Sequence, residues 1–75
     1  MPIETAIDIT LNGASSTVAS DASVADVLRG MNLDPTKPKG IAVAVNDEVV
    51  PKSAWQGRQI QEKDRVEVIT ARQGG

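Results

Sequence analysis

The sequence predicts an α+β fold in which a mixed β-sheet of four to five strands carries one main helix on one face. Three observations predict this fold. Apolar and polar residues alternate from Ile7 to Leu11, and Asn12-Gly13 follows directly, a dipeptide typical of a two-residue hairpin turn. An apolar stripe at helical spacing comes next, and residues 41–45 are apolar throughout. Elements in this order bury their apolar faces by packing a helix against a sheet.

The first predicted element is a β-hairpin. Its outgoing strand places Ile7, Ile9 and Leu11 on one face, because successive side chains of a strand point to opposite faces. The return strand is expected to run from about Ser16 to Ser20, with Val18 facing inward.

The helix is expected from about Val24 to Met31. Ser23 is a favourable N-cap, and Asp26 in the first turn lies near the positive end of the helix dipole. The apolar residues at positions i, i+3, i+4 and i+7 form one stripe, which consists of Val24, Val27, Leu28 and Met31. Pro35 forbids continuation of the helix, so residues 34–40 are expected to form a loop.

The second half of the chain is expected to supply three strands. Residues 41–45 are apolar at every position, which favours a strand covered on both faces in the middle of the sheet. Asn46-Asp47 is the next turn, and Pro51 restricts the short strand at 48–50 to an edge. The last strand spans Arg65 to Thr70 after a turn that Asp64 and Arg65 serve.

Apolar residues in the last strand and in the segment before it indicate which side chains face the core. In the last strand, Val66 and Val68 lie on one face and Ile69 lies on the other. Trp55 and Ile60 are the expected inward anchors of the irregular segment before that strand. As the only aromatic residue, Trp55 is expected to close the open end of the sheet, and a role as an interface residue is the alternative.

The order β-β-α-β-β-β is the β-grasp arrangement that ubiquitin uses. A chain of 75 residues has room for one small domain, so we divide it into a β-grasp domain at 1–70 and a flexible C-terminal tail at 71–75.

Composition argues against several classes of function. The net charge is −2 and acids and bases are interspersed, so a basic surface for nucleic acid is not expected. No apolar run approaches the length of about 20 residues that spans a bilayer, and no signal peptide opens the chain, so a cytoplasmic protein is expected. His and Cys are absent, which excludes Ser-His and Cys-His nucleophilic sites. We expect no enzyme activity and no bound cofactor or metal.

The predicted functional segment is the tail Ala71-Arg72-Gln73-Gly74-Gly75. Five extended residues span about 17 Å, enough to enter a cleft of another protein. Glycine has no Cβ, so the Gly-Gly end is thin and leaves its carboxylate accessible. A carboxylate is itself a poor electrophile. It becomes reactive after it attacks the α-phosphorus of ATP and forms an acyl-adenylate, a step that needs Mg²⁺ and basic side chains from a partner. A frayed terminus without function is the alternative.

Several segments in fixed order resemble the ThiS/MoaD family of ubiquitin-like sulfur carriers, over Ile7 to Gly75. They are residues 9–13 (ITLNG), 23–28 (SVADVL), 41–46 (IAVAVN), 49–55 (VVPKSAW), 64–71 (DRVEVITA) and 73–75 (QGG). The VVPKSxW stretch and the QGG end resemble the thiamine branch more than the molybdopterin branch. The chain departs from the family pattern in its extra N-terminal residues, in a longer proline-rich loop at 34–40 and in Asn46-Asp47, which replaces the usual Asn-Gly.

The resemblance implies a cycle carried out by partners. A ThiF-type enzyme adenylates the Gly75 carboxylate with ATP and Mg²⁺, and a cysteine desulfurase supplies the sulfur that converts it to a thiocarboxylate. Thiazole synthase, ThiG, then accepts the sulfur. Gly74 gives the end its reach, Gln73 makes main-chain contacts in the partner, and Arg72 either pairs with a partner's acid or stays solvated. The alternatives are sulfur delivery to molybdopterin, cysteine or tRNA, a ubiquitin-like modifier of lysines, and a plain interaction domain.

Overall fold

A computed structural model describes residues 6–37 and 39–71. The elements are β1 (Ala6–Leu11), β2 (Ala14–Ala19), α1 (Val24–Gly30), β3 (Ile41–Val45), β4 (Glu48–Val49), a 3₁₀ turn (Lys52–Ala54) and β5 (Arg65–Thr70). Their order confirms the predicted β-β-α-β-β-β sequence of elements.

The strands form one five-stranded mixed sheet in the order β2-β1-β5-β3-β4. β1 and β5 run parallel, and the other neighbouring strands are antiparallel. The apolar side of α1 packs on one face of this sheet. The arrangement is a β-grasp fold, as predicted, and it places the last strand of the chain at the centre of the sheet.

The hairpin turn has the backbone geometry that its sequence requires. Asn12 and Gly13 have φ of 50° and 84°, so both central residues adopt the positive φ of a two-residue turn. This tight turn pairs Leu11 directly with Ala14. The return strand therefore begins two residues earlier than the predicted Ser16. Val18 is half-buried and packs against the core, as expected.

The helix begins with a capping box. The Ser23 hydroxyl accepts a hydrogen bond from the Asp26 N–H at 3.3 Å, and the Asp26 carboxylate accepts one from the Ser23 N–H at 2.9 Å. The helix ends at Gly30, one residue before the predicted end, and Met31 is its C-cap. Val24 and Leu28 are fully buried, which confirms the predicted apolar stripe.

The irregular segment between β4 and β5 closes one end of the core. Trp55 is 2% exposed, and its Nε1–H donates a hydrogen bond to the carbonyl of Val50 at 2.8 Å. Ile60 is likewise buried. Both are the inward anchors that we predicted. The alternative of Trp55 as an interface residue is wrong, because the indole lies inside the domain with its polar atom satisfied.

One prediction about β3 is wrong. Its apolar run favoured a strand covered on both faces, but only Val43 and Val45 are buried, while Ala42 is exposed and Ala44 is half-buried. The reason is that α1 covers a single face, and alanines are small enough to stand on the other face without exposing much apolar area. β3 does lie inside the sheet, and β4 does lie at its edge.

Candidate functional site

The candidate site is the C-terminal end of β5, because this strand leads from the core to the predicted reactive tail. Val66 and Val68 are buried beneath α1, whereas Glu67 and Ile69 lie on the opposite face. Alternation along the strand therefore anchors one face in the core and leaves the other in solvent. β5 is therefore anchored in the core by its buried valines.

Two polar side chains fix the beginning of β5. The Asn46 side-chain amide donates to the Asp64 carboxylate at 3.0 Å, and its Oδ1 accepts the Arg65 N–H at 2.9 Å. Asp64 is 8% exposed and also accepts the N–H of Gln61 at 2.8 Å. The predicted turn role of Asp64 is confirmed. The buried carboxylate is stabilised by these donors, so it is a structural group of the turn.

A third polar side chain supports the middle of β5. β1 pairs with β5 only at Thr10–Arg65 and Leu11–Val66, so the ladder between them stops there. Beyond that point the Asn12 Oδ1 accepts the N–H of Val68 at 2.8 Å. The side chain of a turn residue thus replaces a carbonyl of the missing strand.

The end of β5 is tied to the loop that precedes β3. The N–H of Ala71 donates to the carbonyl of Gly40 at 2.6 Å. Gly40 has a φ of +76°, and a Cβ at this position would lie 3.0 Å from the Ala71 carbonyl oxygen. Both facts favour glycine here, because residues with a side chain adopt this φ less readily and a Cβ would lie in tight contact with the Ala71 carbonyl.

An apolar patch lies on the outer face beside this end of the sheet. We define the outer-face patch as Ala42, Val49 and Ile69. The register pairs Ala42 with Ile69, and Val49 pairs with Ala44 on the same face. Val49 is 76% exposed and Ile69 is 65% exposed, which makes them the large apolar side chains most open to solvent in the described part. The prediction that Ile69 faces away from the core is confirmed.

The predicted tail residues divide at Ala71. Ala71 is exposed, and its N–H still belongs to the sheet through Gly40. Arg72, Gln73, Gly74 and Gly75 lie outside the described residues, so their predicted roles stay predictions. The structure shows the position of β5, the strand that precedes these residues in the sequence.

The carboxyl groups with shifted pKa belong to caps and turns. The pKa of Asp26 lies below its ordinary value, mainly because the backbone N–H of Ser23 hydrogen-bonds its carboxylate, with further help from the Ser23 hydroxyl and Arg29. The pKa of Asp34 is lowered chiefly by hydrogen bonds from the hydroxyl and N–H of Thr36. Both carboxylates stabilise local backbone turns, which is the ordinary role of Asp at such positions.

Residues 6–37 and 39–71 contain no group of three or more His, Cys, Asp or Glu side chains placed to hold a metal ion. No helix in this part of the chain is long and apolar enough to cross a membrane. Three surface hollows lie beside β1 and β2, beside the start of α1 and beside the loop at Asp34, and none is lined by a residue of β5.

Sequence reasoning missed three supports of β5. Asn12 and Asn46 were identified only as turn residues, and Gly40 only as the end of a loop. The positive φ that each adopts was foreseeable for an Asn or Gly in a turn. The contacts that their side chains or backbones make with β5 depend on the sheet order, which local sequence does not specify.

Comparison with known proteins agrees with this fold. The family model of ThiS matches residues 7–75, which includes the whole of β5 and the tail. A solved structure, the thiamine biosynthesis protein ThiS from Geobacter metallireducens, is similar with a TM-score of 0.74 and 27% sequence identity. The similarity covers 92% of this chain and 100% of that one. A search of the curated proteins found no match. Because the family model matches nearly the entire chain, the chain belongs to the ThiS family.

Proposed function

We propose that this protein is a sulfur carrier whose C-terminal Gly75 is the loading point. The single observation that carries the proposal is the family match, which spans residues 7–75 and so includes Gly75. The geometry supports it, because β5 is anchored in the core by Val66 and Val68 and held at its end by Gly40. A rigid strand that continues into a thin Gly-Gly end suits delivery of a carboxylate to another protein.

The proposed chemistry begins with activation of that carboxylate. A carboxylate oxygen of Gly75 attacks the α-phosphorus of ATP, a phosphorus–oxygen bond forms, and pyrophosphate leaves. A sulfur nucleophile then attacks the acyl carbon and AMP leaves. Hydrosulfide gives the thiocarboxylate directly, whereas a persulfide gives an acyl disulfide that a thiol must reduce.

Partner proteins supply the catalytic groups. The chain contains no His and no Cys. We propose that a ThiF-type enzyme binds ATP and Mg²⁺ and activates Gly75, while a cysteine desulfurase provides sulfur. In this scheme the protein is a substrate of its partners, and the residues next to Gly75 (Ala71, Arg72, Gln73 and Gly74) thread into their active sites.

The proposed acceptor is thiazole synthase, ThiG, in thiamine biosynthesis. The similar solved structure is a thiamine biosynthesis protein, which favours this acceptor over molybdopterin, cysteine or tRNA thiolation. Rescue of thiamine-requiring cells that lack their own carrier tests this acceptor. Failure of rescue by a protein that is still loaded with sulfur would redirect the proposal to another acceptor.

The activation step is tested by ATP–pyrophosphate exchange with a ThiF-type enzyme. The full chain should support exchange, and a variant that lacks Gly75 should not. Gly57→Ala is a suitable control, because no heavy atom lies within 4 Å of a Cβ built at that position. Stable adducts on lysines of other proteins, dependent on Gly75, would instead indicate a protein modifier.

A further inference from the structure

β5 is offset along the sheet from its neighbour β1 and extends beyond the end of that strand, which leaves part of one edge open at the centre of the sheet. β3 pairs with β5 from Val66 to Thr70, but β1 pairs only at Arg65 and Val66. After Leu11 the chain turns at Asn12-Gly13 into β2, which pairs with the other side of β1. From Glu67 onward, no described strand therefore lies on the β1 side of β5.

The backbone groups that face this open edge follow from the antiparallel pairing with β3. The Ala71 N–H donates to Gly40, so Ala71 and Gly40 form a hydrogen-bonded pair. Hydrogen-bonded and non-hydrogen-bonded pairs alternate along an antiparallel ladder. The pair Thr70–Ile41 is therefore non-hydrogen-bonded, and the N–H and C=O of Thr70 point away from β3, toward the open edge.

Two neighbouring contacts confirm this orientation. The carbonyl of Val66 accepts the N–H of Asn12 at 2.9 Å, and the N–H of Val68 donates to the Asn12 Oδ1 at 2.8 Å. The Val66 C=O and the Val68 N–H therefore point toward the β1 side of β5. Thr70 comes next in the same row, so its N–H faces the side of β5 on which no described strand is paired beyond Val66. Its side chain is exposed.

We propose that the open edge at Val68–Thr70 is a strand-docking site that receives an extended segment of the tail-activating enzyme. An exposed strand edge offers main-chain hydrogen bonds to a partner strand, the mode known as β-augmentation. Here the Thr70 N–H and C=O and the Val68 C=O are the available groups. The docked segment occupies the row that β1 leaves vacant.

The length of chain beyond this edge identifies the occupant. Gly75 is the fourth residue after Ala71, so the two residues lie at most about 14 Å apart. An enzyme that closes its active site around Gly75 must therefore lie against this end of the sheet. Thr70 is the residue directly before Ala71, so the open edge lies within the footprint of such an enzyme. This inference rests on the proposed function.

The test compares two variants at one position. Thr70→Pro removes the N–H that faces the open edge, whereas Thr70→Val keeps it and changes only the exposed side chain. Thr70→Pro should fold, since proline is tolerated where a strand N–H faces an open edge. Ile69→Pro is the matched fold control, because the Ile69 N–H faces β3 and its loss should unfold the sheet.

Binding of the ThiF-type enzyme is measured together with ATP–pyrophosphate exchange. We expect Thr70→Pro to weaken binding about tenfold, the effect of losing one good hydrogen bond, and Thr70→Val to bind as the wild type does. Equal binding by Thr70→Pro would overturn the docking site while leaving the proposed function intact. Absence of exchange with the wild-type chain would instead contradict the proposed function.

Two further measurements keep the test decisive. If Thr70→Pro does not fold, a synthetic chain with an ester in place of the Thr70 amide removes the same N–H without changing the side chain. Hydrogen exchange at the Thr70 amide should be fast in the free protein and slow in the complex. An amide that stays fast in the complex would overturn the proposal. So would a dimer of this chain alone that the ester abolishes, since the edge would then bind a second copy.

Discussion

Gly40 and Ala71 are joined by a backbone hydrogen bond of 2.6 Å, at the point where β5 leaves the sheet. Gly40 reaches this position with a φ of +76°, and its Cα faces the Ala71 carbonyl closely enough that an added Cβ would lie 3.0 Å from that oxygen. The loop before β3 therefore holds Ala71, the last described residue, against the sheet. Through this hydrogen bond, the backbone conformation of Gly40 affects Ala71, the first residue of the predicted tail.

Gly40→Ala should destabilise the domain by about 1–2 kcal/mol, the cost of placing a side chain in the left-handed region. Urea unfolding followed by Trp55 fluorescence measures the change. Gly57→Ala is the matched control, because Gly57 does not have a positive φ and a Cβ there would meet nothing within 4 Å. Equal unfolding midpoints for the two variants would show that Gly40 is not under the constraint described.

Val68→Ala should lower the free energy of unfolding by about 2 kcal/mol, because it removes two methyl groups from a core side chain that is only 7% exposed. Ile69→Ala, one residue further along β5, should change the free energy of unfolding by less than about 0.5 kcal/mol, since Ile69 is 65% exposed. Chemical denaturation of both variants checks the pair. A larger loss for Ile69→Ala would mean that the two faces of β5 are assigned the wrong way round.

Asn12→Gly isolates the contact between the hairpin turn and β5. Glycine accepts the φ of 50° at this position, so the turn should survive while the hydrogen bond to the Val68 N–H is lost. We expect a loss of about 1 kcal/mol in unfolding free energy. Asn32→Gly is the control, since Asn32 has a φ of 64° and its side chain makes no hydrogen bond within the described residues. If both variants lose the same stability, the Asn12 contact contributes nothing.

The capping box makes part of the stability depend on pH. Ser23→Ala should cost about 1 kcal/mol through loss of the N-cap. Folding lowers the pKa of Asp26 below 3.8, so its contribution is fully present above pH 3.8 and is lost as the pH falls through the lower folded-state pKa.

Asp26→Asn tests that electrostatic contribution. The variant should be less stable than the wild type at neutral pH by less than about 1 kcal/mol, because the Asp26 side chain is about half exposed and screened by solvent. The difference should shrink as the pH falls below 3.8, where the wild-type carboxylate becomes protonated. Thermal unfolding at a series of pH values measures it. A difference that is constant across the acid range would rule out the charge as its source.

Local sequence determines much of this fold because its strongest signals are short-range. Asn12-Gly13, the N-cap Ser23 with Asp26 in the first turn, and the alternation in β5 each predict one structure and are found in it. The coverage of β3 was mispredicted, since an apolar run does not reveal whether a second layer exists above it. The open edge at Thr70 was not predictable either, because it follows from the register in which the end of β1 pairs with the beginning of β5, and these strands are far apart in sequence.

The central claim is that Gly75 carries the sulfur, and intact-mass measurement tests it most directly. The protein is incubated with a ThiF-type enzyme, ATP, Mg²⁺ and a cysteine desulfurase with cysteine. The account predicts a mass increase equal to the exchange of one oxygen for sulfur, located in the C-terminal peptide and absent when Gly75 is deleted. The same increase in the chain that lacks Gly75, or an unchanged mass in the full chain, would contradict it.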